Sequence, residues 1–400
     1  MSTNAQLPDA GRLAAVLAAY AVQGLGYAVV VTAVPSFQAR LSIDSTIVSI
    51  VLLGVCVAAA VGSVLADRVA VVADSRRAVQ AGFVVQAVGL AAAAVTTSFP
   101  VFVAGIVVYG IGLGCIDAAS SMQGVLAERR LRRPVLGRCF AAYTVGAIGG
   151  AVVMSLLVAS SYGAMAAILV AALATFVLGL LAGRLLDPSR AATGPAAEHA
   201  KRSERLPSGP VVAVGLLVLA AFTIDAAIST WSSVHLIALG ATMALAPVGY
   251  ALYQAAVLAS RLATDSLSRR FGAARLALAA TLVGVAGAVL VALFERPAVA
   301  IAGFAASGLA VGVLVPVAFG FAGRIRPARS DEVVARVNLF NYPGAVFGAV
   351  GVGLLIDSLP ELAFLVPAAI LLAAGLWALR GRFRGVTLTD EEPASLLADR

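Results

Sequence analysis

Long apolar stretches without charge fill this chain and decide which solvent it folds in. Residues 139–183 contain no Asp, Glu, Lys or Arg, and about 20 apolar residues in a helix already cross a bilayer. The 400 residues are 61% hydrophobic and 12% charged, far from the balance of a water-soluble domain. Helices satisfy their backbone hydrogen bonds internally in lipid. The sequence therefore predicts an all-α membrane protein.

Twelve such stretches predict twelve transmembrane helices of a multi-pass protein. Their approximate ranges are 13–37, 45–66, 78–97, 101–126, 139–160, 163–183, 211–237, 246–263, 276–294, 298–323, 337–356 and 362–379.

The basic residues lie almost entirely in alternate loops and in the C-terminal tail. Of the 28 Lys and Arg residues, 26 follow this pattern, and Arg40 and Arg296 are the other two. Cytoplasmic loops are enriched in Lys and Arg, so both termini are predicted to be cytoplasmic. The net charge of +8 then reflects topology and not nucleic-acid binding.

The two halves of the chain repeat at an offset of 198 residues, which pairs Asp67 with Asp265. At this offset, eight of the 20 glycines in residues 1–200 coincide with a second glycine, where chance gives about two. These are Gly11, Gly89, Gly105, Gly110, Gly114, Gly146, Gly150 and Gly183. We expect two pseudo-symmetric six-helix bundles, 1–186 and 211–384, a cytoplasmic linker, 187–210, and a disordered tail, 385–400.

The loop after the second predicted helix, "SVLADRVAVVADSRR", resembles the signature G-x-L-A-D-R-x-G-R-R of the major facilitator superfamily. "DAAISTWSSVHL", "ASRLATDSLSRRFGAAR" and "GLAVGVLVPVAFGFAGR" resemble a bacterial inner-membrane subgroup related to the fucose permeases. Two positions depart from that subgroup: an Asn is lost in "SSMQ", and Phe140 replaces a His. The substrate is therefore not carried over.

The resemblance implies a pore that is lined by helices 1, 4, 7 and 10 and opens alternately to the two faces of the bacterial inner membrane. It also implies ion pairs between Asp67 and Arg68, and between Asp265 and Arg269 or Arg270, that hold helix ends in the outward-facing state. The alternative is that these are ordinary solvated charges at helix ends, which contribute little energy.

Two acids, Asp117 and Asp225, fall inside predicted spans. An ionised carboxylate there costs about 2.5–3.5 kcal/mol even on a lenient scale. Asp117 either accepts hydrogen bonds from neighbouring hydroxyls or a broken backbone, or binds and releases a proton. All basic residues are assigned to loops or helix ends, which leaves neither acid a permanent partner. We therefore favour proton binding at Asp117, with Asp225 as the second candidate.

Further polar and aromatic residues on the inner helices are candidates for a substrate cavity. They are Tyr20, Gln23, Tyr27, Ser121, Tyr143, Ser229, Trp231, Tyr253, Gln254, Asn338 and Asn341. His235, near a helix end, is expected to be exposed. "NYPG" at 341–344 and Pro316 are expected to bend their helices. The three cysteines show no spacing for a disulfide framework or for zinc, and we expect no metal and no cofactor.

The sequence favours a secondary active transporter that moves a small organic solute by alternating access, coupled to protons. Two alternatives stay open: an uncoupled facilitator, and a membrane sensor that binds a ligand without transporting it. Lys201 is the only lysine, and it lies in no phosphate-binding G-x-x-x-x-G-K-[ST] motif. We therefore expect neither an ATP-driven pump nor an enzyme. The predicted partners are the solute, protons and the lipid bilayer, with no nucleic acid, and the protein is expected to be monomeric.

Overall fold

The computed structural model describes residues 9–132, 135–160, 162–188, 208–326 and 330–379. All regular elements in these ranges are helical, and none of the described residues forms a strand. Eleven helices of the described chain are long and apolar enough to cross a membrane. Many of their large side chains, such as Ile50, Leu156 and Leu173, are more than 60% exposed, as lipid-facing residues are. The predicted all-α membrane fold is confirmed.

Seven helices form the N-terminal half, residues 9–188. They are α1 (Asp9–Thr32), α2 (Val34–Leu41), α3 (Ser45–Val72), α4 (Ser75–Val95), α5 (Phe99–Leu131), α6 (Leu136–Val158) and α7 (Gly163–Leu185). Acidic side chains cap the N-termini of α3 and α4. Asp44 accepts a hydrogen bond from the backbone N–H of Ile47, and Asp74 accepts one from the backbone N–H of Arg77, both at 2.8 Å. These N-caps satisfy amide groups that have no partner within the helix.

Eight helices and one π-helical segment form the C-terminal half, residues 208–379. They are α8 (Ser208–Ala238), α9 (Ala246–Phe271), α10 (Ala273–Leu293), α11 (Pro297–Ile325), α12 (Ser330–Asn338), α13 (Asn341–Val346), π1 (Phe347–Gly351), α14 (Val352–Leu355) and α15 (Pro360–Leu379).

Helix α9 corresponds to the eighth predicted span, but it is not among the helices apolar enough to count as a span. It continues eight residues past the predicted end at residue 263 and stops at Gly272. Gly272 has a φ of 81°, which residues with a Cβ rarely adopt. Arg261, which the sequence analysis counted with the loop after this span, lies ten residues before the end of the helix. The count of twelve spans stays a prediction.

Prolines act differently at three places in the fold. The first predicted span is broken at Ala33, since α2 starts with Pro35 in its first turn. "NYPG" begins a new helix, α13, after a break at residues 339–340. Helix α11 instead continues through Pro316. Proline lacks the N–H that would bond to the carbonyl of Gly312, and the hydroxyl of Thr264 donates to that oxygen at 3.4 Å.

Glycines that coincide in the repeat make equivalent contacts in the two halves. A Cβ added to Gly287 would lie 2.6 Å from the carbonyl oxygen of Gly303, and one added to Gly89 would lie 2.7 Å from that of Gly105. Small residues of this kind let helix backbones approach closely. These contacts agree with the predicted repeat. The two-bundle division stays a prediction, because residues 189–207 of the linker, like the tail, lie outside the described residues.

One end of the N-terminal half, here the Arg130 end, is tied together by Asp187. Its carboxylate accepts a hydrogen bond from Arg130 Nη2 at 3.0 Å and lies 3.6 Å from Arg12 Nη1. Gln123 bonds to the backbone N–H and C=O of Asp187 at 3.1 and 2.9 Å. Asp187, predicted as the first linker residue, is instead buried and joins α1, α5 and the end of α7.

At the opposite end, here the Asp357 end, the two halves touch. The carboxylate of Asp357 accepts hydrogen bonds from the Ser45 backbone N–H at 2.9 Å and from its hydroxyl at 2.7 Å. Ser155 Oγ donates to the carbonyl of Ala244 at 2.6 Å. Gly353 packs directly on Ser49 and Trp231, where a Cβ would clash. Three hydrogen bonds between described residues of the two halves lie at this end.

Asp187→Ala should lower the stability of the N-terminal half. The substitution leaves the guanidinium of Arg12, whose side chain is 11% exposed, without this carboxylate, and we expect a loss of about 1–3 kcal/mol. The measurement is the apparent melting temperature in detergent. Asp9→Ala is the control, because Asp9 also pairs with Arg130 but is 57% exposed. Equal melting temperatures for Asp187→Ala and the wild type would show that Asp187 does not stabilise the N-terminal half.

Asp357→Ala should favour the conformation in which the Asp357 end is open, because it removes two hydrogen bonds between the halves. Trp231 reports this opening, since it is fully buried beside Gly353. In a Trp377→Phe background Trp231 is the only tryptophan, and acrylamide should quench its fluorescence more strongly after Asp357→Ala. Glu361→Ala, an exposed acid at the same end, should leave quenching unchanged. Unaltered quenching in Asp357→Ala would show that these bonds do not hold the end closed.

Candidate transport cavity

Asp117 lies in the middle of α5 and meets α1 through Gln23. The amide Nε2 of Gln23 donates to Asp117 Oδ1 at 2.9 Å and to the carbonyl of Leu113 at 3.4 Å. Gln23 is buried, whereas Asp117 is exposed. Between described residues, no ion pair of Asp117 is formed. The hydroxyl of Ser121 donates to the backbone carbonyl of Asp117 at 2.8 Å. Gln23 is therefore the side chain that bonds to the Asp117 carboxylate.

Asp225, on α8, has a different environment. It is half-buried, and Tyr253 on α9 donates its hydroxyl to Asp225 Oδ1 at 2.5 Å. Arg261, two helical turns further along α9, interacts electrostatically with both Asp225 and Tyr253. The prediction that Asp225 has no basic neighbour inside the bundle was therefore wrong. The physical reason is the continuation of α9 to Phe271, because of which Arg261 lies inside the helix and not at its end.

Five tyrosines from both halves surround the two acids and are here called the tyrosine cluster. They are Tyr27 on α1, Tyr109 on α5, Tyr143 on α6, and Tyr250 and Tyr253 on α9. Tyr27 and Tyr143 have ring centroids 6.4 Å apart, and so do Tyr250 and Tyr253.

The tyrosine cluster lies close to both acids. Tyr27 is near Asp117 and near Asp225, and Tyr143 is near Tyr250 across the two halves. The cluster therefore joins the Asp117 site of the N-terminal half to the Asp225 site of the C-terminal half.

An apolar cavity of about 220 Å³ extends from Tyr27 toward the Asp357 end. Valines of α1 and α3, such as Val31, Val51 and Val55, form most of its wall, and Thr230 and Ala349 close it from the C-terminal half. Carboxylates and basic groups are absent from its described lining.

The remaining predicted cavity residues are dispersed. Tyr20 packs edge-on against Phe140, and Ser229 and Trp231 are buried in the bundle. Trp231 donates its indole N–H to the carbonyl of Ala349 at 2.7 Å, so its side chain joins α8 to π1. Gln254 donates to the Tyr250 hydroxyl at 2.7 Å. The side chains of Asn338 and Asn341 bond to each other at 3.3 Å across the break before α13.

His235 is the clearest error about a single side chain. The sequence predicted an exposed residue, but His235 is 5% exposed, packs on Phe304 and Phe364, and places Nε2 3.2 Å from the carbonyl of Val291. Sequence reasoning also missed Tyr109 and Arg261. The absence of a helix breaker between Arg261 and Gly272 was the signal that could have placed Arg261 within α9.

The predicted gating residues lie at the Arg130 end of the bundle. Asp67, Arg68 and Asp265 are exposed. Within the described part of the chain, no ion pair joins Asp67 to Arg68 or Asp265 to the following arginines. Arg269 instead donates to Ser266 at 3.4 Å, and Arg270 lies over the ring of Phe271. The structure thus brings Asp117 together with Gln23, and Asp225 with Tyr253, but leaves the gating pairs apart.

A double-mutant cycle tests the interaction between Asp225 and Arg261. Asp225→Asn and Arg261→Gln should each lower the melting temperature, because each leaves one charge without its neighbour. The double variant should lose less than the sum, with a coupling of about 1 kcal/mol. The control cycle pairs Asp225→Asn with Arg269→Gln, an exposed arginine of the same helix, and should be additive. An additive cycle at Arg261 would show that the two groups do not interact.

Comparison with known proteins places the chain in a family. The model of the Major Facilitator Superfamily matches residues 16–304. An uncharacterized MFS-type transporter of Yersinia pestis is 26% identical over 345 residues, 84% of this chain and 86% of that protein.

Solved structures agree on the fold. A D-xylose-proton symporter has a TM-score of 0.75 at 16% identity and covers 92% of this chain and 97% of its own. The nucleoside transporter NupG has a TM-score of 0.70 at 14% identity and covers 92% and 98%. The resemblance to the fucose permease subgroup stays a prediction. Since the family model spans most of the sequence, the chain belongs to the major facilitator superfamily of membrane transporters.

Proposed function

We propose that the protein is a secondary active transporter that moves a small organic solute across the bacterial inner membrane by alternating access, coupled to protons. The observation that carries this proposal is the pair of acids, Asp117 and Asp225, one in each half, connected through the tyrosine cluster. Ionisable residues inside a membrane bundle are costly and mark transport pathways and proton relays. The proposed functional unit is a monomer, because each half supplies one of the acids.

The Arg130 end is proposed to face the cytoplasm, since the loops at this end are rich in arginine. Two observations support an inward-facing conformation, in which the space between the two halves is open at the Arg130 end. Hydrogen bonds of Ser45 and Ser155 join the two halves at the Asp357 end, and Asp117 and Ser121 are exposed. The gating acids Asp67 and Asp265 are exposed at the open end. They are proposed to pair with Arg68 and with Arg269 or Arg270 when the transporter faces outward and this end closes.

Asp117 is the better of the two proton sites. Its side-chain partner is the neutral amide of Gln23, which offers no charge to balance an ionised carboxylate, whereas Asp225 has Arg261 nearby. A carboxylate without an opposite charge is the one that gains most from protonation when water is withdrawn. In the proposed cycle Asp117 takes up a proton on one side of the membrane, crosses the occluded state as the neutral acid and releases the proton on the other side.

Asp117→Asn should therefore abolish accumulation driven by a pH gradient while preserving exchange of solute across the membrane. Asparagine keeps the shape and can still bond to Gln23, but it carries no exchangeable charge. The solute is chosen by thermal shift from a panel of sugars, nucleosides and aromatic amines, because a ligand of the native state raises its stability. Accumulation and counterflow are then measured in proteoliposomes with and without the gradient.

Glu361→Gln is the matched control, because it also replaces one carboxylate by an amide, and Glu361 is an exposed acid at the Asp357 end. Normal accumulation by Asp117→Asn would remove Asp117 from the coupling, and the same assay on Asp225→Asn then tests the second acid. A wild-type protein that equilibrates the solute without responding to the pH gradient would be a facilitator. Binding without any flux would identify a sensor.

A further inference from the structure

We propose that the apolar cavity between Tyr27 and the Asp357 end binds the hydrophobic body of the transported solute, which makes that solute an amphiphile with one aromatic ring and a hydrogen-bonding head. This inference deepens the proposed transport function and rests on it. The cavity and its lining are the observations that carry it.

The size and lining of the cavity define the body that it accepts. A dry cavity of about 150 Å³ holds a benzene ring, so about 220 Å³ accommodates one ring with a short side chain. Only Tyr27, Tyr109 and Thr230 carry hydroxyl groups among its described lining residues, too few to pair with all the hydroxyl groups of a sugar. Burying such hydroxyls without partners costs at least about 1–3 kcal/mol each, whereas an aromatic ring gains from leaving water.

Tyr109 supplies the one strongly directional contact inside the cavity. Its ring lines the wall and is 2% exposed, and its hydroxyl has no hydrogen-bond partner among the described residues. A buried hydroxyl without a partner is costly. An acceptor or donor on the bound molecule, close to the ring, would satisfy it.

The position of Tyr27 continues the cavity into the polar site. Tyr27 lines the apolar wall and lies near both Asp117 and Asp225. A molecule whose ring occupies the cavity can therefore place its head beside Tyr27 and the two acids. Carboxylates accept hydrogen bonds, so the head is a donor: an amine or a hydroxyl group.

Cys56 gives the cavity a native reporter. It lines the cavity and is exposed, whereas Cys115 and Cys139 are buried. The experiment measures the rate at which N-ethylmaleimide labels the full-length protein in detergent, with Cys56→Ser as the background. The compounds tested are 2-phenylethylamine, 2-phenylethanol and decanoic acid, and glucose is the control without an apolar body.

At a concentration about ten times its Kd, either aryl compound should slow labelling of Cys56 about tenfold, because labelling requires the empty cavity. Glucose should have no effect. Tyr109→Phe, which removes only the hydroxyl, should weaken this protection about three- to tenfold.

Val51→Trp fills the cavity and should abolish protection, and the matched Leu53→Trp, on the lipid-facing side of the same helix, should retain it. The melting temperature is measured in parallel: 2-phenylethylamine should raise it in the wild type and in Leu53→Trp but not in Val51→Trp. If the maleimide does not reach Cys56, the melting temperature by itself tests whether the compound binds in the cavity.

Three results would overturn the proposal. The first is that neither aryl compound affects labelling or melting, and the second is that Val51→Trp responds as the wild type does. The third is that only decanoic acid protects Cys56, which would identify an acyl-chain site. Because none of these measurements involves flux or a pH gradient, their failure would leave proton-coupled transport standing, with the solute bound elsewhere.

Discussion

The scarcity of water inside the membrane is the constraint on which the rest of this structure depends. It obliges the chain to form helices, which keep their backbone hydrogen bonds internal, and it makes each charge among them expensive. Asp117 and Asp225 are tolerated because they lie between the two halves and have partners there. Gln23 donates to one and Tyr253 to the other. The two partners differ in kind, because Asp225 also lies near Arg261 and Asp117 has only a neutral amide.

We propose that the two halves therefore have different roles in transport. In the C-terminal half, Arg261, Tyr253 and Asp225 form a group in which opposite charges are already present, and such a group suits recognition and alignment of a polar head. In the N-terminal half, an uncompensated acid beside a neutral amide suits reversible protonation. The tyrosine cluster lies between them, and tyrosine combines an apolar ring with a hydroxyl. A site of this kind can hold an amphiphile and sense the charge of both acids.

The contacts at the two ends of the bundle differ. At the Asp357 end the halves are joined by the hydrogen bonds of Ser45 to Asp357 and by the close packing of Gly353 on Ser49. At the Arg130 end the strong contacts described here, around Asp187, stay within the N-terminal half. These contacts agree with the proposed mechanism, in which each half moves as a unit while the contacts at the two ends exchange.

The sequence by itself determined the solvent, the helical class and the close helix contacts made by repeated glycines, because these depend on composition and on periodic spacing along the chain. It also identified Asp117 and Asp225 as unusual, since any acid in an apolar stretch is costly wherever the helix lies.

Only the tertiary structure decided which groups meet these acids and where cavities remain. Gln23 and Asp117 are 94 residues apart, and no local pattern encodes their contact. Arg261 was misplaced because the hydropathy of α9 falls before its helix ends at Gly272, and His235 because burial depends on which helices pack over it. The apolar cavity could not be predicted from the sequence for the same reason. Side chains from both halves line it, and its shape exists only once they are packed together.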